Sequence, residues 1–131
     1  MPYTRDGSAK FSTHNVQSPL LNAETACGAC HTDVAYVTGR VATIQTQVRT
    51  TMDSAEIAIV AAIKAIEAAA KETGVDAEAL ADARNLHREA QLRWDFINAE
   101  NSMGFHNPEE ALRILSIATD LARQAQLKAV Q

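Results

Sequence analysis

Residues 34–70 read VAYVTGRVATIQTQVRTTMDSAEIAIVAAIKAIEAAA, and this stretch decides the fold. Its apolar positions alternate spacings of three and four residues, which is a heptad pattern and predicts one long helix. Those positions are Val34, Val37, Val41, Ile44, Val48 and Ala55, with Thr51 filling the gap between the last two. A second apolar stripe, slightly rotated, continues along Met52, Ile59, Val60, Ile63, Ile66 and Ala70. We expect a cap at Thr32 or Asp33 and an end near Thr73. A helix of some 40 residues spans roughly 60 Å, so it needs a partner helix along its length.

Two further helices are predicted downstream of this stretch. Asp76 is a candidate N-cap for a helix that runs to about Ser102. The run Asn107–Glu110 combines an N-cap, a proline at the first helical position and acidic residues, so it starts a third helix that fades near Gln131. The inner faces are expected to use Leu80, Ala83, Leu86, Ala90, Trp94 and Ile97, then Leu112, Leu115, Ala118, Leu121 or Ala122, and Ala125.

The predicted fold class is all-α, a long antiparallel helical hairpin plus a third helix. An irregular segment precedes the helices, because residues 1–26 hold turn-forming residues and no lasting hydrophobic period. We therefore divide the chain into residues 1–31 and a three-helix bundle at residues 32–131. No strand is expected.

Composition limits the possible partners of the chain. The net charge is −4 and the pI is near 5.5, which argues against a nucleic-acid partner, since that would need a basic face. No stretch is both long and apolar enough to span a membrane. Residues 1–7 lack the apolar core of a signal peptide.

The run Cys27-Gly28-Ala29-Cys30-His31 carries the strongest chemical signal. C-x-x-C-H is the attachment sequence of a c-type haem: two thiols add to the vinyl groups and the histidine ligates the iron. A structural disulfide, a thioredoxin-like redox pair and half a zinc site are the alternatives. The thioredoxin motif needs a βαβ context, and a closed zinc site needs four ligands, whereas this chain has two cysteines.

The three other histidines are ambiguous from the residues alone. His14 stands in the irregular segment and His106 in a tight turn before the third helix, where either is a solvated side chain or an iron ligand. His87 is expected to be an exposed helix position. The residues around Trp94 are either a buried polar cluster or plain core.

The chain resembles the C-terminal part of the pentahaem, ammonia-forming cytochrome c nitrite reductases. Four stretches carry the resemblance, in the order and spacing of that family. They are His14 with Ser18-Pro19-Leu20, the Cys27-Cys30-His31 motif, Arg93-Trp94-Asp95-Phe96, and Gly104-Phe105-His106-Asn107-Pro108-Glu109-Glu110-Ala111-Leu112. Met1-Pro2 also looks like the family's sequence directly after another haem-binding histidine.

The resemblance implies a role for each matched residue. Cys27 and Cys30 would hold the fifth haem, as the one haem c of this chain, with His31 as its proximal ligand. His14 would be the distal ligand of the second haem and His106 that of the fourth. The partners would be the rest of the reductase with its haems and, through the long helices, a second copy of the chain. The whole protein would be periplasmic.

This sequence departs from the family by having one attachment motif where the family has five. The catalytic haem, the substrate-binding residues and the calcium ligands would lie upstream, so the chain alone is expected to be an inactive fragment. Two other readings stay open. One is a free-standing monohaem electron carrier, with a sixth ligand from among His14, His87, His106, Met52 and Met103. The other is a haem-free helical interaction module.

Overall fold

The computed structural model describes residues 3–12, 14 and 16–131. The chain divides into two compact units, residues 1–43 and 44–131, with the boundary inside the longest helix. The elements are β1 (Tyr3–Asp6), β2 (Ala9–Ser12), a 3₁₀ helix (Pro19–Asn22), α1 (Ala23–Ala26), α2 (Val34–Ala69), α3 (Ala77–Ala99) and α4 (Pro108–Ala129). The predicted division after residue 31 stays a prediction. The Met1-Pro2 pair used in the resemblance lies outside the described residues.

The first unit begins with a β-hairpin that the sequence did not predict. β1 and β2 pair antiparallel, with Tyr3 opposite Ser12 and Asp6 opposite Ala9. The two-residue turn has Gly7 at φ +57°, the positive value that a type II′ turn needs at its first central position. Nearly every strand residue is exposed and each strand has only four residues, so no buried apolar face marks the strands. The expectation of an irregular segment without strands was therefore wrong for residues 3–12.

Caps fix where the helices begin. Asp33 accepts a hydrogen bond from the main-chain nitrogen of Tyr36 at 2.8 Å, which identifies Asp33 rather than Thr32 as the cap of α2. The Asp76 side chain accepts a hydrogen bond from the main-chain nitrogen of Glu78 at the start of α3. The Asn107 side chain accepts one from the main-chain nitrogen of Glu110 at the start of α4. Each cap satisfies a main-chain donor that has no partner inside its helix. α2 ends at Ala69, four residues before the predicted end.

The second unit is a three-helix bundle made by residues 44–69 of α2 with α3 and α4. Its core has three layers whose order shows that α3 runs antiparallel to both neighbours. One layer joins Met52, Ile97 and Leu115; the next joins Ile59, Ala90 and Ala122; the last joins Ala69, Ala83 and Ala129. The predicted hairpin with a third helix is confirmed.

Alanine dominates this core. The fully buried large side chains are Met52, Leu115 and Val48, while most other core positions are alanine. On α4, Ala122 is fully buried, and Leu121 is half-buried and packs against the same core layer. Small side chains let helix backbones approach closely, so this core is filled by backbone proximity more than by side-chain volume.

The apolar positions of α2 pack differently from the prediction. Val48 and Ala55 are fully buried within the chain, against α3 and α4. Val60 and Ile63, expected on the inner stripe, are 41% and 43% exposed, and Ala70 is exposed beyond the end of α2. Val48 lies in the core and Ile44 packs against it, so an aspartate at either position would disrupt the bundle. Over the described residues, no helix is long and apolar enough to cross a membrane.

Candidate functional site

The Cys27–His31 segment forms one tight turn directly after α1. The carbonyl oxygen of Cys27 accepts hydrogen bonds from the main-chain nitrogens of Cys30, at 3.1 Å, and His31, at 2.9 Å. The nitrogen of Cys27 itself donates to the carbonyl oxygen of Ala23 at 2.8 Å. The turn is thus a near-helical continuation of α1, which brings two cysteines three positions apart onto one side of the backbone.

Gly28 is required by the close approach of the backbone. A Cβ atom at this position would overlap the carbonyl oxygen of Glu24 and lie 3.3 Å from Cγ2 of Val34. The neighbouring variable residue of the motif, Ala29, is exposed. The two central positions of the motif therefore differ: one accepts only glycine, and the other faces solvent.

The side chains of the motif are available for covalent chemistry. Both cysteines are free thiols; Cys27 is half-buried, and Cys30 and His31 are exposed. Two unpaired thiols on one turn, followed by an accessible imidazole, fit the attachment of a haem. Among the residues that the structure describes, no three His, Cys, Asp or Glu side chains are grouped to hold a metal ion.

A second polar arrangement lies in the loop between α3 and α4, and its centre is Glu100. The Oε1 atom of Glu100 accepts from the nitrogen of Ser102 at 2.8 Å and lies 3.2 Å from Nδ1 of His106. The Oε2 atom accepts from Oγ of Ser102 at 2.7 Å and from the nitrogen of Gly104 at 2.9 Å. Oγ of Ser102 in turn accepts from the nitrogen of His106 at 3.0 Å.

These bonds shift the ionisation of Glu100. Partial burial raises the pKa of Glu100, but hydrogen bonds from Gly104, Ser102 and His106 outweigh burial and lower it to about 2. Donors that stabilise the charged form of a carboxylate act in this direction. The loop therefore holds an ionised carboxylate at neutral pH.

The same loop is fastened to the bundle. Nε2 of Gln45 on α2 donates to the carbonyl oxygen of Ser102 at 3.0 Å. Met103 and Gly104 both have positive φ, +53° and +77°, and a Cβ at Gly104 would lie 2.7 Å from Cγ2 of Val48. His106 is consequently an exposed side chain on a constrained loop, with 78% of its surface accessible.

His14, His87 and the residues around Trp94 differ in their exposure to solvent. His14 is exposed in the segment between β2 and the 3₁₀ helix. His87 is half-buried and its Nε2 atom is shielded from solvent with no hydrogen-bond partner, so its predicted exposure was wrong. Around Trp94 there is no buried polar cluster among the described residues: Arg93 pairs with the exposed Glu89, and Trp94 packs against the core.

Glu100 was missed at the sequence level. A signal existed, because Glu100 is followed by a short loop with Ser102, Gly104 and His106, whose main-chain N–H groups lie outside any helix and can reach a carboxylate. The sequence does not show that the acid meets the histidine, because the turn that joins them depends on two positive φ values.

A family model described as cytochrome c552 matches residues 1–131, the whole chain. The chain belongs to the cytochrome c552 family. The chain is 36% identical over 134 residues to the cytochrome c nitrite reductase subunit NrfA of Nitratidesulfovibrio vulgaris, covering 95% of this chain and 25% of that protein. It is 37% identical over 128 residues to the cytochrome c-552 of Bacteroides thetaiotaomicron, covering 97% and 26%.

A solved structure extends the similarity to the fold. The NrfA catalytic subunit of the cytochrome c nitrite reductase from Desulfovibrio desulfuricans matches with a TM-score of 0.88 at 34% identity, over 98% of this chain and 28% of that chain. The predicted resemblance and the all-α fold class are confirmed. This cytochrome c552 chain spans about a quarter of the length of the curated relatives it matches. Cytochromes c carry covalently attached haem, and the motif turn offers the thiols that such attachment needs.

Proposed function

We propose that this chain is the C-terminal part of a multihaem cytochrome c nitrite reductase, whose whole protein reduces nitrite to ammonia in the periplasm. Within it, the chain carries one electron-transfer haem, supplies histidines to haems attached elsewhere and contributes helices to a dimer. The observation that carries the proposal is the Cys27–His31 turn, in a chain that matches the cytochrome c552 family over its whole length.

Cys27 and Cys30 are the proposed haem anchors, and His31 is the proposed proximal ligand. The Cys27 carbonyl bonds hold the three residues in one turn, and both thiols are unpaired there. When bound, the haem supplies one-electron transfer, and the protein sets its orientation and ligation.

His14 and His106 are proposed as distal ligands of two haems that the rest of the reductase carries. Both side chains are exposed in this chain, as ligands awaiting an external haem would be. His106 is held in place within this chain, because its loop is tied to the bundle through Gln45 and Glu100. The chain alone, without those haems, is expected to have no nitrite reductase activity.

The decisive experiment is the intact mass and visible spectrum of the chain produced with a c-type haem maturation system. We expect a gain of the mass of one haem, lost in Cys27→Ser and Cys30→Ser. If the maturation system attaches haem to a control cytochrome but not to this chain, the proposal is overturned. If the haem is low-spin in the monomeric chain and becomes high-spin in a variant of His14, His87, His106, Met52 or Met103, the chain is instead a self-sufficient monohaem carrier.

A second copy of the chain is the proposed partner of the outer face of α2. Ile57 is 73% exposed there, next to the exposed Val60 and Ile63. Apolar side chains recurring at helical spacing on an outer face favour helix association. We expect the double variant Val60→Asp, Ile63→Asp to sediment as a monomer where the unmodified chain is a dimer. Gln126→Asp on the exposed side of α4 is the control, and a dimer that persists in the double variant would place the interface elsewhere.

A further inference from the structure

Glu100 and His106 form the one close pair between a carboxylate and an imidazole among the described residues. An ionised carboxylate can only accept hydrogen bonds, so a neutral His106 paired with it must carry its proton on Nδ1. Nε2 is then left with a free lone pair. Since 78% of the side chain is exposed, that lone pair is open to an approaching ligand.

The carboxylate of Glu100 is held by hydrogen bonds that do not involve the ring of His106. Main-chain nitrogens of Ser102 and Gly104 donate to its two oxygens, and neither bond depends on His106. The main chain of His106 is anchored separately, through its nitrogen to Oγ of Ser102. Ring and backbone are therefore held at two points, which restricts both the tautomer and the direction of the imidazole.

We propose that Glu100 is a positioning residue for His106, which holds the Nδ1–H tautomer and directs Nε2 toward the haem iron. The inference rests on the proposed function, because the ligand role of His106 comes from there. Histidines that bind metals commonly donate their other N–H to a carboxylate, which fixes the tautomer and makes the ligating nitrogen more basic. A more basic ligand stabilises ferric iron and lowers the reduction potential of the haem.

The pair is specific to His106 within the described residues. Among the residues that the structure describes, the rings of His14 and His31, the other two proposed ligands, make no side-chain hydrogen bond, whereas the ring of His106 does. A purely structural role for Glu100, closing the loop through Ser102 and Gly104, would leave the ring proton unaffected. The test must therefore separate the state of the ring from the stability of the loop.

The first arm of the test uses the 131-residue chain without haem. Nitrogen-15 NMR of the imidazoles at about pH 8, above the usual histidine pKa of about 6.5, shows which ring nitrogen holds the proton. We expect His106 to be Nδ1–H in the unmodified chain and in Glu109→Ala, and to gain a large Nε2–H population in Glu100→Ala. Ser102→Ala is expected to lower stability while keeping the Nδ1–H form. Equal loss of that form in Ser102→Ala and Glu100→Ala would overturn the inference.

The second arm uses the whole haem-loaded reductase and records ligand-field spectra and haem midpoint potentials. We expect His106→Ala to change the ligation of one haem, and Glu100→Ala to keep that ligation but shift the same haem to a more positive potential. If His106→Ala alters no haem, the ligand role of His106 in the proposed function fails. If His106→Ala alters a haem but Glu100→Ala leaves its potential unchanged, the role of Glu100 fails and the proposed function stands.

Discussion

The indole Nε1 of Trp94 on α3 donates a hydrogen bond to the main-chain carbonyl oxygen of Met52 on α2, 3.1 Å away. Met52 is fully buried, so a bond between polar groups crosses the helix interface beside the centre of the core. This bond fixes the position of α3 along the axis of α2. Alanine side chains are too small and too alike to fix that position by packing alone.

Trp94→Phe is expected to lower the free energy of unfolding by about 1 kcal/mol, because it removes this bond and keeps most of the ring packing. Urea denaturation of the chain measures the change. Tyr36→Phe removes a polar group from an exposed aromatic side chain and should change stability by less than about 0.5 kcal/mol. Equal stability of Trp94→Phe and the unmodified chain would show that the bond contributes nothing.

Gly104→Ala is expected to cost about 2–4 kcal/mol, because it combines a positive φ with a Cβ placed against Val48. Gly74→Ala is a matched comparison, since Gly74 also has a positive φ, +90°, but no atom within 4 Å of the added Cβ. It should cost about 1 kcal/mol, the backbone strain alone. Thermal and urea unfolding of both variants give the difference, and similar losses would contradict the clash with Val48.

Gly28→Ala is expected to reduce the fraction of chain that acquires haem, while the three-helix unit keeps its stability. The added methyl group would push against the carbonyl of Glu24 and open the turn that holds Cys27 and Cys30 together. Intact mass after maturation measures the haem-bearing fraction. Ala29→Ser, at the exposed position of the same motif, should mature normally; full attachment in both variants would show that the turn geometry is not needed.

The stability of the haem-free chain should depend on pH through Glu100. Its pKa is about 2 in the folded chain and 4.5 when unfolded, so the folded state favours the charged form. The stabilisation is complete above about pH 4.5 and disappears as the pH falls toward 2. It is on the order of 1–2 kcal/mol, after allowance for solvent screening of a side chain that is 30% exposed.

Glu100→Gln is expected to be less stable than the unmodified chain at pH 7 and to approach it in acid. Chemical denaturation at a series of pH values gives this difference directly. Glu109→Gln, an exposed carboxylate in the first turn of α4, is the control and should show no such convergence. A constant gap between Glu100→Gln and the unmodified chain down to pH 2 would refute the assigned cause.

The helices could be predicted from the sequence because their signals are local. Asp33, Asp76 and Asn107 each marked a helix start that the structure confirms, and the spacing of small residues identified most of the inner face of α3. The faces of α2 were harder to assign, since apolar residues surround the helix there. Val60 and Ile63 turn outward because alanines at Ala58 and Ala62 already fill the inner positions.

The missed features depend on contacts that no local pattern encodes. The hairpin at residues 3–12 is exposed on nearly every residue and its strands have four residues each, so the strands are too short for a period to stand out and have no buried face. His87 lies one turn from the buried Ala83 and Ala90, so it stands on the packed side of α3 although its neighbours in sequence are charged. Glu100 meets His106 only because the intervening residues reverse the chain.

The alanine core makes the bundle vulnerable in one direction. Truncating a buried alanine to glycine removes a single methyl group, so large cavities can be created at few positions, chiefly Met52, Leu115 and Val48. Every larger side chain at Ala83, Ala90 or Ala118 must instead force two backbones apart. Most substitutions in this interior therefore destabilise the fold by adding volume that must be accommodated, and fewer do so by leaving a cavity.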